Sequence, residues 1–599
     1  MSPAAAPAVA TVSAFVRASA STPATSPTDA LEAALEQLGP FRFYQRYVVI
    51  MLCIPNVFAA MYSLNYVFVA DQVPFRCVVP ECEGYKPPFD NTSALELVPA
   101  GSRCQRFAPL ADRPPGNTCE RHHYHPIHTV PCEVFAYENT DTIFAEFDLG
   151  CSEWRRTLVG TVRNTALPIA LVLTGYLSDT YGRRTAFCVF SAFAGVLGIV
   201  KGFSLNYQMY VAMEFFEAAL GYGFNSAAYV MMVELARPSV RGIFACATGV
   251  AYGAGGVLFA LVAWRVRYWR YLLFVIHSFA LLLPLYRLLL DESVRWLHSQ
   301  NRTQKAASII RKAARWNKVI LNEEVMKNLD ENSLKTEESS KSNPWLALVR
   351  SRVLMVRFAA CCWCWIAVSF VYYGLTINSV ALSGDKYANF ALNMAMEIVA
   401  SLLLMMALER IGRKWSILGA FLVCGVACVT PFFVGQCSSI VYHSYKTKYL
   451  KTLFNYYFKT LFIASNFSNF YISDHSGTWL GLFFVGKLAI TFAFNSIYVF
   501  SAELFPTSTR SSALAACSLV GRLGSILAPQ TPLLSATVQA SLYGGCCMLA
   551  ALAVLLAPET RRTRLPLDVT DAEHLRAAAD APLPAAPPSA PPRVLSADT

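Results

Sequence analysis

Long apolar runs recur along the chain, separated by short polar or basic segments. A helix needs about 20 apolar residues to cross a bilayer's hydrocarbon core. Runs of that length fall near residues 47–70, 157–178, 185–203, 207–235, 243–263 and 269–290. A polar stretch at 291–352 follows, rich in Lys, Arg and Glu, with helical periodicity. A second set lies near 353–376, 386–408, 415–434, 479–500, 511–534 and 536–557. The pattern predicts an all-α membrane protein of twelve transmembrane helices in two six-helix halves. The chain then divides into a tail 1–46, a first half 47–290, a linker 291–352, a second half 353–557 and a tail 558–599.

Charge sets the orientation. Of 599 residues, 55% are hydrophobic and only 15% charged, with a formal net charge of +11. Soluble chains carry roughly a quarter charged residues, so the apolar excess belongs against a lipid bilayer. A positive total is also a feature of nucleic-acid binders. Here, however, the basic residues sit in the short segments between spans. Arg42 and Arg46 precede the first span, Arg183 and Arg184 follow the second, and Arg237 and Arg241 the fourth. Arg410, Arg413 and Lys414 follow the eighth and Arg510 the tenth. All lie on one side if the span count is even, which the positive-inside rule makes cytoplasmic, together with both termini. Arg265, Arg267 and Arg270, between spans five and six, break the rule. No nucleic-acid partner is expected. The sequence contains no Walker-type phosphate loop, catalytic triad or catalytic metal signature, so neither an enzyme nor a cofactor is expected.

The segment 71–155 becomes a large outer loop. It holds six of the 18 cysteines, Cys77, Cys82, Cys104, Cys119, Cys132 and Cys151. An even number in an oxidising compartment predicts up to three disulfides, with the connectivity open. Asn91-Thr-Ser is a glycosylation sequon on the side where it can be used. Cysteines within spans, such as Cys361, Cys362 and Cys364, are read as packing residues. The run His122-His-Tyr-His125-Pro-Ile-His128 resembles a metal-binding tract. It lacks a fixed ligand spacing and an evident carboxylate partner, so it is read as a solvated loop and not as a metal site.

Two motifs occur twice. Gly175-Tyr-Leu-Ser-Asp179-Thr-Tyr-Gly182-Arg183-Arg184 has a weaker copy, Leu408-Glu409-Arg410-Ile-Gly412-Arg413-Lys414. Glu234-Leu-Ala-Arg-Pro-Ser-Val-Arg241 is matched by Glu503-Leu-Phe-Pro-Thr-Ser-Thr-Arg510. Each copy follows the corresponding span of its half, which argues for duplicated halves. The first pair is 230 residues apart and the second 269, so the second half carries 39 extra residues between its motifs. The segment 435–473 has that length. From Gln436 to Ser473 it contains no Gly, Pro, Asp or Glu, and it puts Lys446, Lys448, Lys451 and Lys459 outside. It reads as an atypical insert, either a retained intron or a genuine extra loop.

These motifs resemble the major facilitator superfamily, and within it the organic ion transporters of solute carrier family 22. The likeness runs from about residue 35 to 575. It includes the cysteine-rich loop, Asp291-Glu-Ser-Val-Arg-Trp-Leu297, Tyr372-Tyr-Gly-Leu375, Ala502-Glu-Leu-Phe-Pro-Thr507, Pro558-Glu-Thr560 and Asp571-Ala-Glu573. The chain departs from the pattern at Asp291, where the family has proline, and at Met213-Glu214-Phe215, where it usually has arginine. Met405 stands in place of a signature glycine. The resemblance implies the major facilitator fold, a plasma-membrane location, a small organic ion as substrate and a coupling ion as a further partner.

It also implies roles for particular residues. Asp179, Arg183, Arg184, Glu234 and Arg241, with Glu409, Arg413, Glu503 and Arg510 as their second-half counterparts, would form the charge pairs that lock the halves in one state. Charges within spans mark a substrate path, because each costs roughly 3 kcal/mol at mid-membrane unless paired or hydrated. Glu397 in span eight matches a glutamate of the cation and carnitine transporters, and Lys487 in span ten a basic position. Arg522 in span eleven stands where strict cation transporters have aspartate and carnitine and anion transporters have arginine. Glu397 and Arg522 together suit a zwitterion, with Tyr372 and Tyr373 as a cation–π wall. The alternative is that Glu397, Arg522 and Lys487 pair among themselves and hold helices together. Glu214, Glu217, Arg163 and Asn378 are weaker candidates, Arg163 being read as snorkelling outward. The expected function is secondary transport of carnitine-like zwitterions or organic cations. The alternatives are an organic anion transporter, or a non-transporting receptor or inactive isoform on the same scaffold.

Overall fold

The computed structural model describes residues 27–575, apart from 40, 84–86, 91–94, 100–101, 111–118, 236–240, 332–348, 445–474, 507–508, 562–565 and 567–568. Asn91 lies outside the described residues, as does most of the atypical segment. Span one is Phe43–Val69, span two Glu153–Tyr181, span three Arg183–Gly202 and span five Arg241–Arg265. The second half supplies Arg352–Asn378, Lys386–Arg410, Arg413–Ser444, His475–Leu504, Arg510–Leu527 and Ala536–Leu555 as spans seven to twelve. Eleven described helices are long and apolar enough to cross a membrane.

Span four is missing from that number because it is broken. The run expected to be continuous over 207–235 forms two helices, Tyr207–Gly221 and Gly223–Leu235, interrupted at Tyr222. Packing explains the glycines on either side. A Cβ on Gly221 would come within 2.9 Å of the Ala194 backbone, and one on Gly223 within 2.3 Å of the Thr174 hydroxyl. The chain gives up helical continuity to bring span four against spans two and three. Span six is also irregular: Trp269–Ser278 is α-helical, but Phe279–Leu285, which contains Pro284, winds as a 3₁₀ helix. Span nine continues to Ser444, ten residues beyond the boundary read from the sequence.

Two hydrophobic cores, one per half, hold the spans. The first contains Leu52, Phe187, Phe224, Phe259 and Trp269, the second Trp365, Phe421, Ile490, Phe500 and Tyr543. Phe390 and Met394 of span eight belong to the first core. Span eight thus packs across the boundary onto span five, and small residues permit the approach. A Cβ on Gly249 would lie 2.3 Å from Ser401 Oγ, and one on Gly256 would lie 2.4 Å from Met394.

At one end of the bundle sits a disulfide domain. Strands β1 (Phe75–Cys77) and β4 (Phe135–Tyr137) pair antiparallel, as do β2 (Gln105–Pro109) and β3 (Tyr124–Pro131). The disulfides join Cys77 to Cys132, Cys82 to Cys119 and Cys104 to Cys151. The domain is tied to the bundle through Glu146, whose carboxylate takes Arg270 at 2.5 Å and the Trp269 indole at 2.5 Å. That contact gives Arg270, one of the three arginines that broke the charge rule, a local acidic partner. At the opposite end lie the linker helices Val294–Ser299, Thr303–Asn317 and Glu323–Glu331. Glu323–Glu331 packs against the helix Pro27–Gln37, and Ile310, Ala314 and Leu329 share the first core with Leu31 and Leu35. Asp291, which replaces the family's proline, binds Lys312 at 2.8 Å and the Tyr44 hydroxyl at 3.2 Å.

Candidate functional site

Glu397 lies 11 residues into span eight, about 16 Å along the helix axis from Lys386. Lys487 sits at a similar depth in span ten. The two form an ion pair at 2.8 Å, with Glu397 6% and Lys487 0% exposed. Lys487 also donates to the Thr376 hydroxyl at 2.8 Å and stands 3.5 Å above the Tyr372 ring. Tyr372 in turn stacks on Phe494 at 5.1 Å. Of the two arrangements the sequence left open for Glu397, the structure selects pairing with Lys487. It also gives one face of Tyr372 to Lys487, leaving that face unavailable to a ligand cation.

Arg522 is arranged differently. Among the described residues it has no carboxylate within ion-pair distance. Its charge interacts with the phenols of Tyr373, Tyr222 and Tyr498. Tyr222 belongs to the break in span four, so the irregular backbone of one half presents a polar group to a cation of the other. Tyr498 is held edge-on to Trp365 at 4.4 Å, and the Trp365 indole donates to Ser501 at 3.1 Å. The centre of the bundle therefore carries Glu397, Lys487 and Arg522, one negative and two positive charges. Asn378 lies away from this group and bonds Gln539 at 2.9 Å and Tyr543 at 3.0 Å.

A second buried charge group lies wholly within the first half. Arg163 of span two meets Glu214 at 2.6 Å and Glu217 at 2.8 Å. Lys201 of span three meets the same two carboxylates at 2.8 and 2.7 Å. All four side chains are at most 3% exposed. Arg163 therefore does not snorkel, because two carboxylates hold it inside. Lys201 was missed by the sequence reading. It closes a span and looks like an ordinary interfacial lysine until span four delivers Glu214 and Glu217, three residues apart on one helix face.

The repeated motifs form two matching charge clusters at the linker end. In the first half, Arg183 bonds Asp179 at 3.0 Å and Glu234 at 2.9 Å. In the second, Arg413 bonds Glu503 at 3.1 Å. Gly182 and Gly412 both adopt positive φ, +103° and +107°, which reverses the chain between consecutive spans. Each following helix start is capped by a carboxylate. Glu292 accepts from the Arg184 amide at 3.0 Å, and Glu559 from those of Arg413 and Lys414 at 2.9 and 3.1 Å. The equivalence of Glu292 and Glu559 was not read from the sequence, although both stand two residues past a span, in Asp-Glu-Ser and Pro-Glu-Thr. Arg184 also donates to the carbonyls of Arg287 and Leu290, and Arg510 to those of Phe505 and Pro566. Asp179 is 75% exposed. The side chains of Arg241 and Glu409 lie outside the described residues.

At the disulfide-domain end the two halves are joined directly. Asp71, just past span one, pairs with Lys386 at the start of span eight at 2.6 Å. Gln530 bridges Thr157 and Thr161 of span two at 3.0 and 2.7 Å. Phe68 stacks on Tyr387 at 5.2 Å.

The sugar (and other) transporter family matches residues 134–565. An organic cation transporter protein of Drosophila melanogaster is 28% identical over 532 residues, covering 84% of this chain and 86% of the relative. An organic cation/carnitine transporter 2 of Rattus norvegicus is 28% identical over 531 residues, covering 85% and 86%. An inward-open structure of the xylose transporter XylE from E. coli shares the fold, with a TM-score of 0.52 and 14% identity over 86% of this chain and 98% of that one. The twelve-span duplicated bundle, its paired charge motifs and these matches converge: the chain belongs to the sugar (and other) transporter family, as a multi-pass, solute carrier family 22-like member of the major facilitator superfamily.

Proposed function

We propose that the chain carries small organic ions bearing a carboxylate, carnitine-like zwitterions first, by alternating access around the Glu397–Lys487–Arg522 centre. One observation carries this reading. Arg522 is a cation in the bundle core that, among the described residues, has no carboxylate within ion-pair distance and whose charge interacts with tyrosine phenols. A guanidinium in that setting is stabilised by a ligand carboxylate, which it can bind bidentately. The cationic end of the ligand competes with Lys487 for Glu397 and uses the ring of Tyr373. The names of the fly and rat relatives, organic cation and organic cation/carnitine transporters, support the cationic end. A second reading, an organic anion transporter, is favoured by the net positive charge that Lys487 leaves in the centre.

The disulfide domain faces the outside, both termini lie in the cytoplasm, and the plasma membrane is the location that fits. Asn91 is then on the glycosylated side. The contacts at Asp71–Lys386 and Thr157–Gln530 support a state closed to the outside, and the clusters at Arg183 and Arg413 serve as gates on the cytoplasmic side. A coupling ion is part of the cycle. The chain does no covalent chemistry on its cargo. The segment 435–473 interrupts the second half, and its deletion separates a working transporter from an inactive isoform or a receptor on the same scaffold.

The test is uptake into expressing cells of labelled carnitine, a quaternary ammonium lacking a carboxylate, and an aryl carboxylate, with and without 435–473. Arg522→Ala should lower uptake of the carboxylate-bearing compounds at least about tenfold, the scale of a lost charge-assisted pair, and spare the simple cation. Equal loss for all three at normal surface expression would remove the carboxylate-binding role.

A further inference from the structure

On the orientation proposed above, the disulfide domain carries a group of side chains that transport does not use. Glu120, His122 and His123 lie on its surface, and their ligand atoms fall within 4.8 Å of one another. Glu120 Oε2 is 3.3 Å from His122 Nε2 and 4.0 Å from His123 Nε2. The two imidazole rings are 3.9 Å apart, centre to centre. Both turn the same nitrogen toward the same carboxylate oxygen.

Local geometry causes this. Arg121–His123 is a single 3₁₀ turn. Such a turn repeats every three residues, so residues 120 and 123 fall on one side of it. The backbone bond from the His123 amide to the Glu120 carbonyl, 3.1 Å, closes the turn. Its two ends are fixed. Cys119 is disulfide-bonded to Cys82, and Tyr124 is buried in a small core with Val79, Cys82 and Leu97. Arg121, the neighbour that would repel a cation, is held elsewhere. It stands 3.6 Å over Phe107 and donates to the carbonyls of Tyr124, His125 and Pro126. His125 is also committed, since its Nδ1 accepts from the Ile127 and His128 amides at 3.2 and 2.7 Å.

We infer that Glu120, His122 and His123 form a zinc site on the outer domain, with water completing the coordination. Two imidazoles and one carboxylate suit zinc and disfavour calcium and magnesium, which prefer all-oxygen shells. Tetrahedral zinc with bonds of about 2.0–2.1 Å needs its ligand atoms roughly 3.3 Å apart. The Glu120–His122 distance already meets this, and a small rotation of the His123 ring brings it in. Glu120 and His122 are 70% and 67% exposed, so the site opens to the medium and loads without unfolding.

The test is equilibrium dialysis of the purified full-length protein against zinc chloride in the presence of excess calcium and magnesium. One zinc should bind. Glu120→Gln and the His122→Gln/His123→Gln pair should each weaken it at least about tenfold, since loss of even a supporting residue costs that much. His125→Gln/His128→Gln should bind as the wild type does. A second measurement uses the wild-type protein alone. Zinc should protect His122 and His123, but not His125 and His128, from diethyl pyrocarbonate, as read by peptide mass. Absence of zinc binding, undiminished binding in the Glu120 or His122/His123 variants, loss in the His125/His128 variant, or equal protection of all four histidines overturns the assignment.

Discussion

Asp71 and Lys386 form an ion pair at 2.6 Å that joins the first half of the bundle to the second at the disulfide-domain end. A pair exposed to this degree contributes about 1 kcal/mol, or a roughly fivefold shift between open and closed populations. Lys386→Gln, which leaves the Asp71 charge without its partner, should raise labelling of a Thr161→Cys reporter by about that factor. The exchanged pair, Asp71→Lys with Lys386→Asp, should restore it.

The same contact predicts a pH response. Burial pushes the Asp71 carboxyl above its usual range, and Lys386 only partly opposes this. A carboxyl whose pKa is raised in one state keeps its proton longer in that state, so acid favours the state in which Asp71 is buried. Labelling of Thr161→Cys should therefore fall as pH drops toward the ordinary Asp value of about 3.9. The dependence should be lost in Asp71→Asn.

Arg163 and Lys201 should be matters of stability. Removing one partner from a buried ionic group leaves a charge uncompensated, at a cost of about 3–5 kcal/mol. Arg163→Met or Lys201→Met should lower the thermal midpoint of the purified protein sharply. Arg163→Met combined with Glu214→Gln should recover part of the loss. A midpoint unchanged by the single substitutions would mean that the four charges are not buried together.

Glu397 and Lys487 should be coupled. Lys487→Met leaves Glu397 without its cation, and Glu397→Gln does the reverse to Lys487. The double variant should therefore fold and reach the surface better than either single one, with a coupling of about 1–3 kcal/mol in a double-mutant cycle.

Mass mapping of non-reduced peptides should find Cys77–Cys132, Cys82–Cys119 and Cys104–Cys151. Replacing Cys82 and Cys119 by serine should cost the outer domain about 2–5 kcal/mol.

The sequence alone determined the architecture. Spanning length, the even recurrence of basic segments and the doubled Gly-Arg and Glu-Arg motifs are one-dimensional signals, because a bilayer imposes one length and one charge bias on every helix. Which charge meets which was not determined in this way. Arg163 looked free to reach outward until span four placed Glu214 and Glu217 beside it. Glu397 could have faced either Arg522 or Lys487, and only the packing of spans seven, eight and ten gives it to Lys487. Tyr222 sits where its phenol interacts with the Arg522 charge, at a break in span four between two glycines that press on spans two and three. The histidine run found its carboxylate in Glu120 only once a 3₁₀ turn set the two on one side. Each of these outcomes depends on distances of a few ångströms between helices or across a turn, and at that range the energy of a buried charge changes by several kcal/mol.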